Sequence, residues 1–485
     1  MRSGVFMKLA FILLIKLATI NLLFSASASA SASAIAKPNV ILIFVDDLGY
    51  CDSEIYGCEN VPTPNLKKLA QDGVSFASGY VTSPVCSPSR ASLLTGKYQQ
   101  RFGHEFLPDA LPNTGLPESE ITLATKLQSL NYYTGMVGKW HLGSANQFHP
   151  INRGFNSFFG LLSSGSDYLD PTRPDAKIIS RLWRGLNAPV QKEGDPWLGR
   201  DRDTIFINKK KIVEESYLTD AFTREAVTFI NEHKSKPFFL YLPYTAPHGP
   251  LQTTQRYYDQ FDDVENENQR VYASMISALD IGVGEILKTL EKLNLSENTL
   301  IVLMSDNGAG VADYGSNSPL RLGKHTLFEG GVRVPFVMRW PNQLERGLLY
   351  KNPVSALDIF PTVLNAAGGK ASSLDLDGVD LLPFLKGEKS DKPHQTFYWR
   401  NSPNWAIRDG SYKLINAGGI NWLYDLNVDL GETDNIASEY PNVVEKLTLK
   451  FNEWDAKNIE PSWPPYSAKT HSALKVDGVP IKWTL

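Results

Sequence analysis

Four apolar runs, each ending in polar side chains, constrain the fold of this chain more than any other feature. The runs are NVILIFV before Asp46, YYTGMVG before Lys139, FFLYLPY before Thr245 and TLIVLMS before Asp306. Continuous apolar runs of this length are typical of parallel strands covered on both faces by helices. We therefore predict an α/β fold. The helices predicted to cover the sheet are 64–72, 120–130, 217–233 and 270–293.

The polar residues after these strands are predicted to share one site, because ligands bind beyond the carboxyl ends of the strands in such sheets. Asp46, Asp47, Asp306 and Asn307 offer three carboxylates and an amide oxygen. Ca²⁺ and Mg²⁺ prefer such oxygen donors. The alternative is that each residue caps a helix or forms a turn. Four such residues together favour a metal site.

The length of 485 residues leaves room for more than one domain. After residue 368 the pattern changes to short strand-like pieces separated by turns, which predicts a smaller antiparallel domain. We assign residues 37–368 to the large α/β domain, which carries the polar clusters, and 369–485 to the smaller C-terminal domain. Residues 163–212 lack periodicity and are predicted to form a long inserted loop.

Residues 1–36 are predicted to be a signal peptide, because basic residues precede an apolar run and an Ala/Ser stretch. The chain is therefore expected to be exported, either to the periplasm or outside the cell. An N-terminal anchor is the alternative, but the run is broken by Lys16 and is too short for stable membrane insertion. The net charge of -4 argues against a nucleic-acid partner.

The motif Cys86-Ser87-Pro88-Ser89-Arg90, followed by ASLLTGKY, resembles the signature of type I sulfatases. In that family a maturation enzyme oxidises the cysteine to formylglycine. The resemblance continues in GKWHLG at 138–143, APHGP at 246–250, SDNGA at 305–309 and EGGVRVP at 329–335, and it extends to about residue 437. It implies an alkaline-phosphatase-like fold: a large, mainly parallel or mixed sheet flanked by helices, with a smaller C-terminal α+β domain that carries an antiparallel sheet.

The resemblance also implies a mechanism for sulfate ester hydrolysis. A hydrated formylglycine at position 86 attacks sulfur, a sulfo-enzyme intermediate forms, and elimination of sulfate restores the aldehyde. Arg90 is expected to hold the formylglycine hydroxyl. Lys139 and Lys324 are expected to bind the sulfate oxygens. His141 is the expected base, and we predict His248 as the leaving-group acid.

The same resemblance implies one bound metal ion, with calcium expected and magnesium as the alternative. Its predicted ligands are Asp46, Asp47, Asp306, Asn307 and the modified Cys86. Once Cys86 is set aside, the remaining cysteines are even in number. Cys51 and Cys58 are therefore predicted to form a disulfide in an oxidising compartment. The alternative is two separate packed thiols.

The expected substrate is a sulfated carbohydrate, with a polysaccharide such as carrageenan as the first choice. Neighbouring sulfates need basic groups, and sugar faces need aromatic ones. The predicted substrate-binding residues are His104, Trp183, Arg184, Arg321 and His325, with Arg181, Trp197 and Trp405 as further candidates. His325 is also a departure, since many family members have glycine there. For the insert, the alternative is a surface loop with scattered charge.

Two other functions remain open at this point. A phosphonate or phosphate monoester hydrolase of the same superfamily can share the cysteine motif, and comparing rates on sulfate and phosphate esters separates the two. A catalytically silent carbohydrate-binding relative would keep the fold but lose part of the polar set. Every expected position is present here, which argues against the silent relative.

Overall fold

The apolar runs form the middle strands of a ten-stranded sheet in the computed structural model of the chain. The structure describes residues 37–108, 113–181, 184–185, 205–310, 314–465 and 474–482. The strands are β1 Asn39–Asp46, β2 Val74–Phe76, β3 Gly79–Tyr80, β4 Tyr133–Lys139, β5 Ser157–Leu161, β6 Ala176–Ile178, β7 Ser180–Arg181, β8 Arg184–Gly185, β9 Ile205–Ile207, β10 Lys210–Ile212, β11 Phe238–Pro247, β12 Gln252–Thr254, β13 Thr299–Ser305, β14 Arg333–Val334, β15 Phe336–Arg339, β16 Leu348–Tyr350, β17 Val354–Ser355, β18 Thr396–Asn401, β19 Asn404–Asp409, β20 Tyr412–Ala417, β21 Ile420–Asp425, β22 Leu474–Val476 and β23 Val479–Ile481.

Helices lie close to all four predicted positions, and six further α-helices in the described part of the chain were not predicted. The α-helices are α1 Pro64–Gln71, α2 Cys86–Thr95, α3 Leu123–Ser129, α4 Leu218–His233, α5 Gln255–Tyr258, α6 Glu267–Lys292, α7 Glu329–Val332, α8 Ile359–Ala366, α9 Leu382–Leu385 and α10 Pro441–Asp455. Within the described ranges, no helix is both long and apolar enough to cross a membrane.

The large sheet has the strand order β10-β9-β5-β4-β11-β1-β13-β15-β2-β16. The five neighbouring strands β5, β4, β11, β1 and β13 are mutually parallel. The strands toward both edges add antiparallel pairs. Because the parallel strands end at the same edge, the polar residues that follow them are brought together.

Both faces of the sheet are buried, as the unbroken apolar runs predict. In β1 the side chains of Val40, Leu42 and Phe44 enter one core, whereas the alternating Ile41, Ile43 and Val45 enter the other. Helices α4 and α6 cover the second face. Helices α2 and α3 contribute to the first. This arrangement confirms the predicted α/β class.

The C-terminal region forms the predicted antiparallel sheet, with the order β18-β19-β20-β21. One of its faces joins the first core, where Trp399 packs on Tyr80 and its indole N–H donates to the Val81 carbonyl at 2.7 Å. Helix α10 covers the other face through Leu447 and Phe451. The described residues from Pro38 onward form one compact unit. The domain boundary at residue 369 stays a prediction.

The inserted segment 163–212 differs from the predicted loop. Its last described part, β9 and β10, extends the edge of the large sheet beyond β5. Its first part contains β6, which pairs with β12 in a separate two-stranded sheet. Single-sequence periodicity misses such two- and three-residue strands because they are too short to show alternation.

Candidate active site

The three carboxylates and the amide predicted from the strand ends meet at one edge of the sheet. Asp46 ends β1, and Asp306 directly follows β13, which pairs with β1 in parallel register. The backbone N–H of Asp47 donates to Asp306 Oδ1 at 3.2 Å, and Asn307 Nδ2 donates to Asp47 Oδ1 at 2.6 Å. All four side chains are buried. Asp47 has φ 65°, a left-handed conformation that aspartate tolerates better than most residues.

Cys86 is the first residue of α2 and faces the same carboxylates. Its Sγ atom and one carboxylate oxygen each from Asp46 and Asp306 lie within 4.8 Å of one another. Only 3% of Cys86 is exposed. The helix N-terminus adds a favourable field for a negative group at this position.

The surroundings of Cys86 stabilise negative charge on its sulfur. Burial alone raises the pKa of a thiol, but the positive charges of Lys139, His141 and Lys324 outweigh burial and lower the pKa of Cys86 to about 5. His141 also forms a side-chain hydrogen bond with Cys86. The site can therefore hold an anion at the position of this side chain.

Arg90 lies one turn along α2 from Cys86 and so points to the same side. Its Nε and Nη2 atoms donate to Asp306 Oδ2 at 3.1 and 2.7 Å, and Nη1 donates to the Lys139 carbonyl at 3.0 Å. Nη2 also lies 3.4 Å from Asp46 Oδ1. A fully buried guanidinium with this many acceptors is fixed in place.

Two lysines complete the cluster of charges. Lys139 Nζ donates to Asp46 Oδ2 at 2.7 Å, and Lys324 Nζ donates to Asp47 Oδ2 at 2.7 Å. Burial acts to raise the pKa of both carboxyls, but the neighbouring cations prevail and hold both below the usual range. We call Asp46, Asp47, Asp306, Arg90, Lys139 and Lys324 the catalytic charge cluster.

Close backbone contacts bring Lys324 to the site although it lies in a loop. The N–H of Lys324 donates to the Ala309 carbonyl at 3.0 Å. A Cβ atom at Gly308 would lie 1.7 Å from the Gly330 carbonyl oxygen, and one at Gly323 would lie 2.1 Å from the Ala309 oxygen. Glycine is therefore required at both positions for the loop to pack against the end of β13.

Two histidines border the cluster from different segments. His141 follows Lys139 and is fully buried, with a left-handed φ of 58°. His248 follows β11, and its side chain is 22% exposed. Its Nδ1 lies 2.6 Å from the Gly249 carbonyl, which can only accept, so Nδ1 carries a proton and Nε2 faces the site. Nε2 lies 3.6 Å from Asp47 Oδ2.

The donor atoms fit a hard divalent cation. Asp46 Oδ1 and Asn307 Oδ1 are buried oxygens that accept no hydrogen bond, although Arg90 Nη2 lies 3.4 Å from Asp46 Oδ1. Buried acceptors without partners are costly, and metal coordination is one way to satisfy them. Both atoms belong to the predicted ligand set, which is made of oxygen donors apart from Cys86. Such a set suits calcium or magnesium better than a softer metal.

Two predicted substrate contacts, His104 and Arg321, have protein partners in the structure. His104 is fully buried, its Nε2 lies 2.7 Å from Ser87 Oγ, and its ring packs edge-on against Trp463. It lies behind Cys86 and offers no surface to a sugar. Arg321 donates to the Glu432 carbonyl and to Asp477 Oδ1, each at 2.5 Å, so its guanidinium binds the C-terminal region instead.

The remaining predicted substrate residues stay predictions. His325 is half-buried, has φ 73°, and its N–H donates to the Pro84 carbonyl, two residues before Cys86. Arg184 lies in β8, but only its backbone is described. Trp183 and Trp197 lie outside the described residues.

Trp405 is a further predicted sugar contact, from the C-terminal region. Its ring stacks on Phe451 at a centroid distance of 4.3 Å, as part of the core under α10. One face of the ring is therefore covered, while Trp405 as a whole is half-buried, and its contact with sugar stays a prediction.

One residue at the site was not predicted. Tyr168 is a buried residue of the insert, and its hydroxyl donates to the His248 carbonyl at 2.8 Å. Its N–H donates to the buried side chain of Gln252. The Nε2 atom of Gln252 in turn donates to Asp167 Oδ1 and to the Ser180 carbonyl. A lone tyrosine in an irregular segment gives no periodic signal, so sequence reasoning had no means of finding it.

Comparison with known proteins agrees with this site. A family model described as Sulfatase matches residues 38–369, and a second, described as N-sulphoglucosamine sulphohydrolase, C-terminal, matches 322–457. N-acetylgalactosamine-6-sulfatase of Mus musculus is 36% identical over 409 residues, which cover 81% of this chain and 74% of the relative. Arylsulfatase A of Bos taurus is 32% identical, over 87% of this chain and 89% of its own.

Among solved structures, Ps i-CgsB in complex with k-i-k-neocarrahexaose is similar with a TM-score of 0.79 and 35% identity, covering 88% of this chain and 94% of that protein. These matches and the fold make the protein a hydrolase. The chain belongs to the sulfatase family, and it is an enzyme that cleaves sulfuric esters.

Proposed function

We propose that this sulfatase is exported and removes sulfate from a sulfated polysaccharide of the carrageenan type, with a converted Cys86 as its nucleophile. The observation that carries the chemistry is the position of Cys86 between the three carboxylates and the three cations of the catalytic charge cluster. The substrate class rests on the similarity to Ps i-CgsB, which was solved with a carrahexaose.

Two groups supplied after translation complete the site. Cys86 would be converted by a formylglycine-generating enzyme, and the hydrated aldehyde supplies one hydroxyl to attack sulfur and a second that allows sulfate to leave. Asp46, Asp47, Asp306 and Asn307 would hold Ca²⁺, with Mg²⁺ as the alternative, and the ion supplies positive charge for the sulfate oxygens.

The charged residues of the chain bind and orient the ester. Lys139 and Lys324 are each 2.7 Å from a carboxylate that also belongs to the metal ligands. Both lysines bind the oxygens of the substrate anion, and they would share these carboxylates with the divalent ion. Arg90 keeps the N-terminus of α2 against Asp306 and holds the hydroxyl at position 86. Such preorganised charges act strongly in a site that excludes water.

Protons move at the two histidines. His248 Nε2 lies 3.6 Å from Asp47 Oδ2 at the partly exposed side of the site, and it donates a proton to the leaving alkoxide. His141, hydrogen-bonded to Cys86, takes the proton that must leave position 86 when the aldehyde is restored. Each transfer contributes roughly 10² to 10⁴ in rate.

Substrate choice is proposed to lie in the insert together with His325. The N–H of Ile179 donates to the Leu251 carbonyl at 3.0 Å, and Leu251 N–H donates to Ser180 Oγ at 2.9 Å. These bonds anchor the hairpin of β7 and β8 only a few residues from His248. This anchoring near His248 supports the proposal that Arg184, which lies in β8, contacts the sugar around the sulfate.

A comparison of substrates tests this part of the proposal. Arg184→Ala and His325→Ala are expected to weaken kcat/KM on sulfated galactan by about 1–3 kcal/mol while sparing an aryl sulfate, because only the glycan reaches these residues. Lys210→Ala, at an exposed position of the same insert, is the matched control. Equal losses on both substrates would place the two residues in the catalytic centre or in folding.

The proposed activity itself is tested by mass measurement and product analysis. The peptide that carries Cys86 should show conversion to formylglycine. The purified enzyme should release sulfate from carrageenan oligosaccharides faster than from chondroitin sulfates or an aryl sulfate, and it should act far more slowly on an aryl phosphate. A preference for the phosphate would favour the phosphate monoester hydrolase alternative.

Export is a further part of the proposal. Residues 1–36 lie outside the described part of the chain. Cys51 and Cys58 are joined by a disulfide with a Cα–Cα distance of 5.5 Å, and such bonds persist in oxidising compartments. N-terminal sequencing of protein recovered from the periplasm or medium should give a start near Lys37.

A further inference from the structure

A buried serine joins His104 to the backbone of His141. Ser87 Oγ lies 2.7 Å from the His141 carbonyl oxygen and 2.7 Å from His104 Nε2. A carbonyl oxygen only accepts, so the single hydroxyl proton of Ser87 points to His141. Toward His104 the serine must then accept, and His104 Nε2 carries the proton of that hydrogen bond. The donor and acceptor of both Ser87 hydrogen bonds are therefore fixed by the His141 carbonyl.

His141 needs such support because its backbone is strained. A non-glycine residue with φ 58° costs roughly 1–2 kcal/mol relative to ordinary conformations. The N–H of His141 donates to the Leu162 carbonyl at 3.2 Å, and its carbonyl accepts from Ser87. Both backbone polar groups are thus used to hold the residue. This conformation brings the imidazole to Cys86.

His104 is itself held by the C-terminal region. Its ring meets Trp463 edge-on, with centroids 4.8 Å apart and an interplanar angle of 81°. The indole N–H of Trp463 donates to the carbonyls of Phe106 and Leu107 at 3.2 and 3.1 Å. The N–H of His104 donates to the Gln99 carbonyl at 3.0 Å. The histidine therefore has one position in which its Nε2–H meets Ser87.

We propose that His104 is a positioning residue, which fixes the strained backbone of His141 through Ser87. Trp463 holds the ring of His104 in the position that this contact requires. The inference rests on the proposed role of His141 at Cys86. The simpler interpretation, a histidine that only fills space in the core, makes a different prediction. A space-filling residue could be replaced by leucine of similar bulk without a specific effect on turnover.

The test compares two replacements of His104. His104→Gln keeps an N–H donor near the position of Nε2, whereas His104→Leu removes it. We expect His104→Leu to lower kcat by about 10- to 100-fold per converted enzyme, with KM for an aryl sulfate within about twofold, and His104→Gln to recover most of that loss. Conversion of Cys86 is measured by peptide mass in every variant.

Two further measurements separate positioning from a general structural role. Ser87→Ala should lower kcat to a similar extent. The double variant Ser87→Ala/His104→Leu should have a kcat no lower than either single variant, because both substitutions remove the same hydrogen-bonded connection to His141. In His104→Leu, amide hydrogen exchange should rise in the segment that contains His141, while β1 and β13 remain protected. This readout does not depend on activity.

Other outcomes overturn the inference. Wild-type kcat in His104→Leu, equal impairment of His104→Gln and His104→Leu, or additive effects in the double variant would each make His104 a space-filling residue. His141→Ala separates this result from failure of the proposed function. If His141→Ala is inactive while His104→Leu is normal, only the positioning role is lost. If His141→Ala is fully active, the proposed role of His141 is itself wrong.

Discussion

Two clusters of buried charges among the described residues invite comparison, and one of them lies at the candidate active site. The second, here called the C-terminal cluster, joins α7 to the antiparallel sheet through Glu329, Glu432, Lys413, Arg333 and Tyr80. Lys413 Nζ lies 2.8 Å from Glu329 Oε1 and 3.0 Å from Glu432 Oε1. In both clusters, cations compensate carboxylates away from water.

The two clusters differ in access to solvent and in what they surround. One carboxylate oxygen in each cluster accepts no hydrogen bond, Asp46 Oδ1 in the first and Glu432 Oε1 in the second. Lys413, Glu329 and Glu432 are fully buried, whereas the side chain of His248, next to the catalytic charge cluster, is 22% exposed. Buried paired charge and an unpartnered acceptor are therefore not enough to mark a site. A route to solvent, and the presence of Cys86 beside the carboxylates, distinguish the functional cluster from the structural one.

The largest effect that this comparison predicts is loss of turnover in Cys86→Ser. A serine hydroxyl can attack sulfur but has no second hydroxyl to expel sulfate, so activity should fall by on the order of 10³-fold or more. Steady-state rates measure the loss, and the melting temperature should stay close to that of the wild type. Near-wild-type rates without modification of the serine would show that position 86 is not the nucleophile.

Metal removal should also abolish activity without unfolding the protein. Asp46 and Asp47 each have a lysine at 2.7 Å, so their charges remain compensated after chelation. We expect activity to disappear in excess chelator and to return with Ca²⁺, while the far-ultraviolet circular dichroism stays native. The melting temperature should rise with calcium concentration, because the ion binds only the folded state. Full activity in protein shown by elemental analysis to be free of divalent ions would contradict the proposed site.

Sequence reasoning could find the catalytic charge cluster but not the C-terminal one, for a physical reason. Asp46, Lys139 and Asp306 directly end or follow parallel strands, and topology brings such positions together. Glu329, Lys413 and Glu432 meet only because a distant sheet packs against α7. Before packing is known, each of these residues is indistinguishable from a solvated surface charge.

The partners of His104 and Arg321 escape sequence reasoning for the same reason. Both residues are predicted sugar contacts because neighbouring sulfates need basic groups. Their partners, Trp463, Glu432 and Asp477, lie more than a hundred residues away along the chain. Local patterns carry no information about such partners.

A matched pair of lysine variants sharpens the comparison further. Lys413→Met leaves two buried carboxylates without their shared cation, so the free energy of unfolding should fall by about 3–5 kcal/mol. In buffer that contains calcium, Lys139→Met should lower the free energy of unfolding by less than Lys413→Met does, because Arg90 and the ion still face Asp46. Its kcat/KM should nevertheless fall by about 10² to 10³.

Urea unfolding in calcium and steady-state kinetics measure both quantities. Lys413→Met should keep kcat within about threefold per folded, converted molecule, since Lys413 does not contact the reacting groups. Equal losses of stability in the two variants, or a large loss of kcat in Lys413→Met alone, would remove the distinction between a functional and a structural cluster.

The smallest predicted effect is a change in the pH dependence of stability in Glu432→Gln. Burial raises the pKa of Glu432 to about 7, because Lys413 compensates it only in part and Glu329 repels it. Burial also acts to raise the pKa of Glu329, but the positive charges of Lys413 and Arg333 outweigh burial and lower this pKa to about 2. Lys413 therefore stabilises the ionised form of Glu329 more than that of Glu432.

The sign follows from proton binding. In the unfolded chain Glu432 loses its proton near its ordinary value of 4.5, whereas the folded protein keeps it to about pH 7. Between these values the folded state binds more protons, so the free energy of unfolding falls as pH rises, by at most about 1.4 kcal/mol per pH unit. Glu432→Gln should remove this slope, and exposed Glu445→Gln is the matched control. Urea unfolding at pH 5, 6, 7 and 8 gives the difference between variant and wild type. If the difference in the free energy of unfolding stays constant across this range, Glu432 is ionised in the folded protein throughout. Lys413 would then compensate both of its carboxylates as completely as the lysines of the catalytic charge cluster compensate theirs.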